Sequence, residues 1–122
     1  MANLRKIGTI SRKFANVIGN NYIGLSVFQS DGLRKHISKR HPECIKYIGT
    51  IPSIVSDPDY IGINPNENGV SFELVKNISD NVQLGIKLDS SGNFFYVATL
   101  YTITNAKLQR NIQNGRLHTL RN

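Results

Sequence analysis

Two hydrophobic rhythms divide the chain. Between Gly32 and Val55 apolar residues recur at three and four. Leu33 and Ile37 share a helical face, and Cys44, Ile45, Tyr47, Ile48, Ile51, Ile54 and Val55 continue the pattern. Ser30 or Asp31 is placed to cap the first helix. Pro42 can start the next, and Gly49 and Pro52 divide that second stretch into two short pieces. Ser56-Asp-Pro-Asp-Tyr60 then stops it. Asp57 and Asp59 flank a proline as turn residues do, which is a better reading than a metal pair.

After the turn-forming run Asn64–Gly69 the period changes to two. Val70, Phe72 and Leu74 alternate with Ser71, Glu73 and Val75. Val82, Leu84, Ile86 and Leu88 alternate with Gln83, Gly85 and Lys87. Phe94 to Ile103 is apolar on both sides. This predicts a three-stranded antiparallel meander whose first two strands have one dry face and whose last strand is more central. Lys107 to Gln113 reads as a short helix with Gly115 past its end. The basic tail from Arg116 reads as loose. Upstream, residues 4–28 look extended, with short strands around Ile7–Thr9 and Tyr22–Phe28 and a turn over Asn16–Asn21. The expected fold class is α+β, with N-terminal strands and helices packed on a twisted antiparallel sheet of about four strands.

Composition narrows the picture. The 122 residues make one domain, 1–122. The lone Cys44 excludes an internal disulfide and a thiolate zinc cluster, and reads as a buried small side chain. A formal net charge of +7 favours a polyanionic partner such as nucleic acid, or an acidic protein. The first residues lack the apolar run of a signal peptide, and no segment reaches membrane-spanning length. A soluble, cytoplasmic protein with no membrane partner is therefore expected.

The densest chemistry lies in Gly32–Pro42, where His36 and His41 sit among Arg34, Lys35, Lys39 and Arg40. Cleaving RNA without a metal or other cofactor needs a base for the 2′-hydroxyl proton, an acid for the leaving 5′-oxygen, and cations to hold the phosphate. Histidine suits either proton role. His36 is the sharpest candidate, against the plainer reading of a histidine closing its helix on the sheet. His41 stands at the bend before Pro42, where it could also serve as a helix cap. Lys35, Lys39 and Arg40 are candidate phosphate ligands, or simply a solvated face. Thr99, Tyr101 and Thr102 supply hydroxyls near the end of the last strand, with Thr99 and Tyr101 on one face; β-propensity explains them equally well. Lys107 is a remoter candidate, Lys87 reads as solvated, and His118 carries no specific role.

The run His36-Ile-Ser-Lys-Arg-His-Pro42, then Ile54-Val-Ser-Asp-Pro-Asp-Tyr-Ile-Gly62, then strands ending Tyr96-Val-Ala-Thr-Leu-Tyr101, resembles the phage- and mobile-element-associated nuclease domains grouped with barnase, EndoU, colicin-type tRNases and RelE. The resemblance covers roughly residues 20–117. It implies helices followed by a twisted sheet whose face holds a metal-independent RNase site. His36, His41 and Lys39 would come from the helix, and Thr99 or Tyr101 from the last strand. Arg40, Lys35 and Thr102 would bind phosphate. No second catalytic histidine stands on the sheet, so the acid is unassigned. The resemblance further implies a toxin or mobile-element effector acting on RNA, tRNA among the substrates, with an acidic antitoxin or immunity protein as partner. The alternatives are a non-catalytic nucleic-acid-binding module and a protein-interaction domain of a toxin–antitoxin pair.

Overall fold

The computed structural model of the chain describes residues 3–120. Strand β1 (Leu4–Thr9) leads through a short 3-10 turn (Arg12–Phe14) into helix α1 (Ala15–Ile18), then strand β2 (Ser26–Ser30). Helix α2 (Leu33–Arg40), a 3-10 segment (Pro42–Thr50) and helix α3 (Ile51–Ser56) follow. Strands β3 (Tyr60–Ile63), β4 (Ser71–Asn77), β5 (Asn81–Leu88) and β6 (Phe95–Ile103), helix α4 (Asn105–Gln113) and strand β7 (His118–Thr119) complete the order. Among the described residues, no helix is long and apolar enough to cross a membrane.

The fold is α+β, as expected, but the sheet is larger than the period-two pattern indicates. It has seven strands in the order β1-β2-β6-β5-β4-β3-β7, where about four were expected. It is also mixed, because β2 runs parallel to β6. A parallel pair needs a crossover, and everything from α2 to β5 supplies it. The meander β4-β5-β6 is as predicted. β3 and β7 are too short to show alternation, and residues 15–18 form α1 instead of a turn. Neither Ser30 nor Asp31 caps α2; the cap position is Gly32, with no side-chain hydrogen bond.

One face of the sheet carries the main core. Leu33 and Ile37 of α2, Tyr47 and Ile48 of the 3-10 segment, and Ile51, Ile54 and Val55 of α3 pack with Val27, Leu74, Leu84, Ile86 and Leu100. Cys44 is buried here, as its small apolar side chain suggests. Lys76, in phase with this face at the end of β4, turns back to donate to the Asp57 backbone oxygen at 2.8 Å.

The opposite face was expected to be wet along β4 and β5, and the tail loose. Both expectations are corrected. Val75, Ile103, Leu108 and Leu117 form a second apolar cluster there. Leu117 is 1% exposed, and burying such a side chain contributes about 1.5–3 kcal/mol. The tail is thereby fixed as β7, with His118 opposite Ile61 and Thr119 opposite Tyr60; Arg121 and Asn122 lie outside the described residues. Docking depends on Gly62. A β-carbon at Gly62 would lie 1.8 Å from the Arg116 carbonyl oxygen, so only glycine lets the tail lie on β3.

Gly62→Ala is therefore expected to lose about 1–3 kcal/mol of stability through overpacking. Gly49→Ala, where a β-carbon meets nothing within 4 Å, should be neutral or slightly stabilising. Urea denaturation of both variants checks the contrast.

Candidate active site

Period-two alternation places two rows of residues side by side on the tail-covered face. One row runs across four strands as Gly62, Glu73, Gly85 and Thr99. The next runs as Tyr60, Val75, Gln83 and Tyr101. Glu73 is thus flanked by two glycines. The Arg116 backbone fills the space over Gly62, and Gly85 keeps the other side low, since a β-carbon there would sit 3.0 Å from the Thr99 methyl. The result is a trough floored by strand backbone and lined by polar side chains.

A chain of hydrogen bonds crosses it. Glu73 is 3% exposed, and an isolated carboxylate that deep would be very costly. Arg116 grips it with two bonds, Nε to Oε1 at 2.7 Å and Nη2 to Oε2 at 3.0 Å. Gln83 Nε2 donates to Glu73 Oε2 at 2.9 Å and to Tyr101 Oη at 2.7 Å. The carboxylate only accepts, so the amide end facing it must be nitrogen. The Tyr101 oxygen therefore receives a hydrogen bond, and its own proton is left to give. Burial, and then the charge of Glu73, push the phenol above its ordinary value, so Tyr101 stays protonated. The hydrogen bond to Glu73 does most to raise the Arg116 guanidinium, which stays charged.

His41 reaches this centre from the main-core side. β2 pairs with β6 only at Phe95 and Tyr96, so the later half of β6 is bordered instead by α2 and the 3-10 segment. The backbone at His41 leaves the helix (φ −143°, ψ 63°) before Pro42, as the residue before a proline tends to. The bend lays the imidazole against Tyr101, ring centroids 5.4 Å apart and planes 28° from parallel. Lys107 of α4 brings its ammonium to 5.8 Å from the centre of the Tyr101 ring.

The residues singled out in the sequence are thus divided. His41, Tyr101 and Thr99 come to the trough. His36, Lys35, Lys39 and Arg40 are exposed on α2; among the described residues, no hydrogen bond, ion pair or ring contact ties His36 to the sheet. Thr102 alternates to the other face, toward buried Cys44, whose pKa is raised mainly by burial. That placement removes Thr102 from the trough. Glu73, Gln83 and Arg116 were not singled out. The first two occupy the face read as wet, and Arg116 the tail read as loose. Their one signal was a glutamate set among the apolar residues Phe72, Leu74 and Val75. Among the described residues, no three His, Cys, Asp or Glu side chains gather as metal ligands would.

Glu73→Gln removes one partner of a nearly buried pair. It is expected to cost about 3 kcal/mol, the low end for such a loss because Arg116 retains some exposure. Thermal or urea unfolding measures it.

No curated protein and no solved structure matches the chain. The model of one family does match, and it begins at residue 5, inside β1, well upstream of the expected start near residue 20. That family is described as phage-Barnase-EndoU-ColicinE5/D-RelE like nuclease3, its match runs over residues 5–110, and the chain belongs to it.

Proposed function

We propose that the protein is a metal-independent endoribonuclease that cleaves RNA by attack of a 2′-hydroxyl on the adjacent phosphate. The observation that carries this reading is the Tyr101 hydroxyl, which accepts from Gln83, stays protonated, and has a histidine stacked on its ring. In this scheme His41 takes the 2′-hydroxyl proton. Tyr101 donates to the departing 5′-oxygen or to the phosphate as its charge grows. Arg116 and Lys107 supply positive potential around the phosphate, and Thr99 adds a hydroxyl at the trough edge. Glu73 is a positioning residue, because both its oxygens are already occupied by Arg116 and Gln83. The same occupancy supports a route without metal. His36, Lys35, Lys39 and Arg40 would hold the strand along the exposed face of α2.

Family membership and the charge of +7 support a role as a toxin or phage or mobile-element effector acting on cytoplasmic RNA, tRNA among the substrates. An acidic antitoxin or immunity protein would complement the basic surface.

Incubation of the purified chain with total RNA in EDTA is expected to give discrete fragments. His41→Ala and Tyr101→Phe should each lower the rate at least ~100-fold, while His36→Ala should weaken RNA binding by a few fold and spare turnover. Full-rate cleavage by the folded His41 and Tyr101 variants would falsify the assignment. A salt-sensitive mobility shift without cleavage would mark a non-catalytic binding module instead. Because the Tyr101 phenol is held above its ordinary value of 10.0, any alkaline loss of rate below about pH 10 should persist unchanged in residual Tyr101→Phe activity; a rate-against-pH profile reads this out.

A further inference from the structure

A second polar cavity lies at the other end of α2. It encloses about 230 Å³ and is lined by Arg5, Gln29, Ser30, Asp31, Arg34 and Ile48. Gln29 is 8% exposed, and its buried Oε1 has no hydrogen-bond partner among the described residues. Such a group is costly to leave unmet. Arg5 and Asp31 come there from β1 and the β2–α2 turn, and no ion pair within 4 Å ties Asp31 to either arginine among the described residues.

The donor set is selective. A bare anion suits the arginines but meets the Asp31 carboxylate. A cation meets two guanidinium groups. A sugar phosphate satisfies all four: phosphate for the arginines, hydroxyls for Gln29 and Asp31. A hydroxyl both donates and accepts, so a single one can give its proton to Asp31 and receive one from the Gln29 amide. We propose that this cavity binds the phosphate–ribose unit of one ribonucleotide in the RNA strand, with Arg5 and Arg34 on the phosphate, Asp31 accepting the proton of the 2′-hydroxyl, and the Gln29 amide, its nitrogen turned toward the sugar, donating to the hydroxyl oxygen. The proposal rests on reading the chain as an RNA nuclease. Arg34 and His41 are seven positions apart, about 10 Å along the helix, with Lys35, Lys39 and Arg40 exposed between them. One strand could therefore occupy the cavity and the trough together, and the cavity would select RNA over DNA at a position away from the cut.

Mononucleotides test this without any bond to cleave, so the result does not depend on catalysis. Titrating the wild-type chain with adenosine 5′-monophosphate should shift the amide NMR signals of Arg5, Gln29 and Arg34. The 2′-deoxy counterpart should bind about tenfold more weakly. Gln29→Leu should weaken that preference, and Arg34→Gln should weaken both nucleotides alike. Equal affinity for the two nucleotides, inorganic phosphate binding as tightly as the nucleotide, or shifts confined to the trough would each overturn the proposal. Should Gln29→Leu fail to fold, the wild-type comparison and the exposed Arg34→Gln variant still decide it. RNA cleavage with no ribose preference in the cavity would leave the nuclease reading standing and remove this one.

Discussion

A carboxylate buried in the middle of a sheet must find a cation, and that requirement organises this protein. Glu73 is met by Arg116, which lies 43 residues away in sequence. Bringing it back demands that the segment after α4 cross β3, which Gly62 permits and no other residue would. Leu117 then closes the second apolar cluster, and His118–Thr119 adds the last strand. The pair is not a stability device in its own right, since an apolar replacement of similar volume could do as well. Its consequence is a polar interior arranged around a fixed acceptor.

That arrangement has a direction. The carboxylate can only accept, so Arg116 and Gln83 both donate to it, and the second N–H of Gln83 donates to the Tyr101 oxygen. Tyr101 ends the series with its own proton left to give, and burial together with the Glu73 charge keeps that proton in place. The main core acts on the same residue from the other side. Leu33 and Ile37 seat α2, Pro42 turns the chain, and His41 is delivered onto the Tyr101 ring. Two separately built layers thus converge at the end of β6, where β2 leaves one side of the strand open to the helix junction.

Much of this frame was legible in the sequence. The period-two runs located β4, β5 and β6, and the Leu33–Ile37 spacing located α2. Tyr101 and Thr99 were visible as hydroxyls sharing a face, and His41 as the histidine at a bend. What escaped depends on contacts distant in sequence. Glu73 and Gln83 alternate with apolar residues whether or not anything covers them, so period alone reads them as solvated. Arg116 looks like a loose basic end until Gly62 is known to face it. The parallel β2–β6 pairing has no local signature, because the intervening crossover holds most of the domain. Exposed His36 shows the converse: local density of charge and imidazole does not say which side of a helix meets the sheet.

The central claim is chemical: the trough cleaves RNA through the substrate's own 2′-hydroxyl, with protein side chains moving the protons. The ends left on the fragments report this most directly. Products formed in EDTA should carry 2′,3′-cyclic phosphates and 5′-hydroxyls, identified by mass spectrometry and by their refusal of ligation without end repair. Fragments with 5′-phosphates and 3′-hydroxyls, or cleavage that appears only when a divalent metal is restored, would contradict the account.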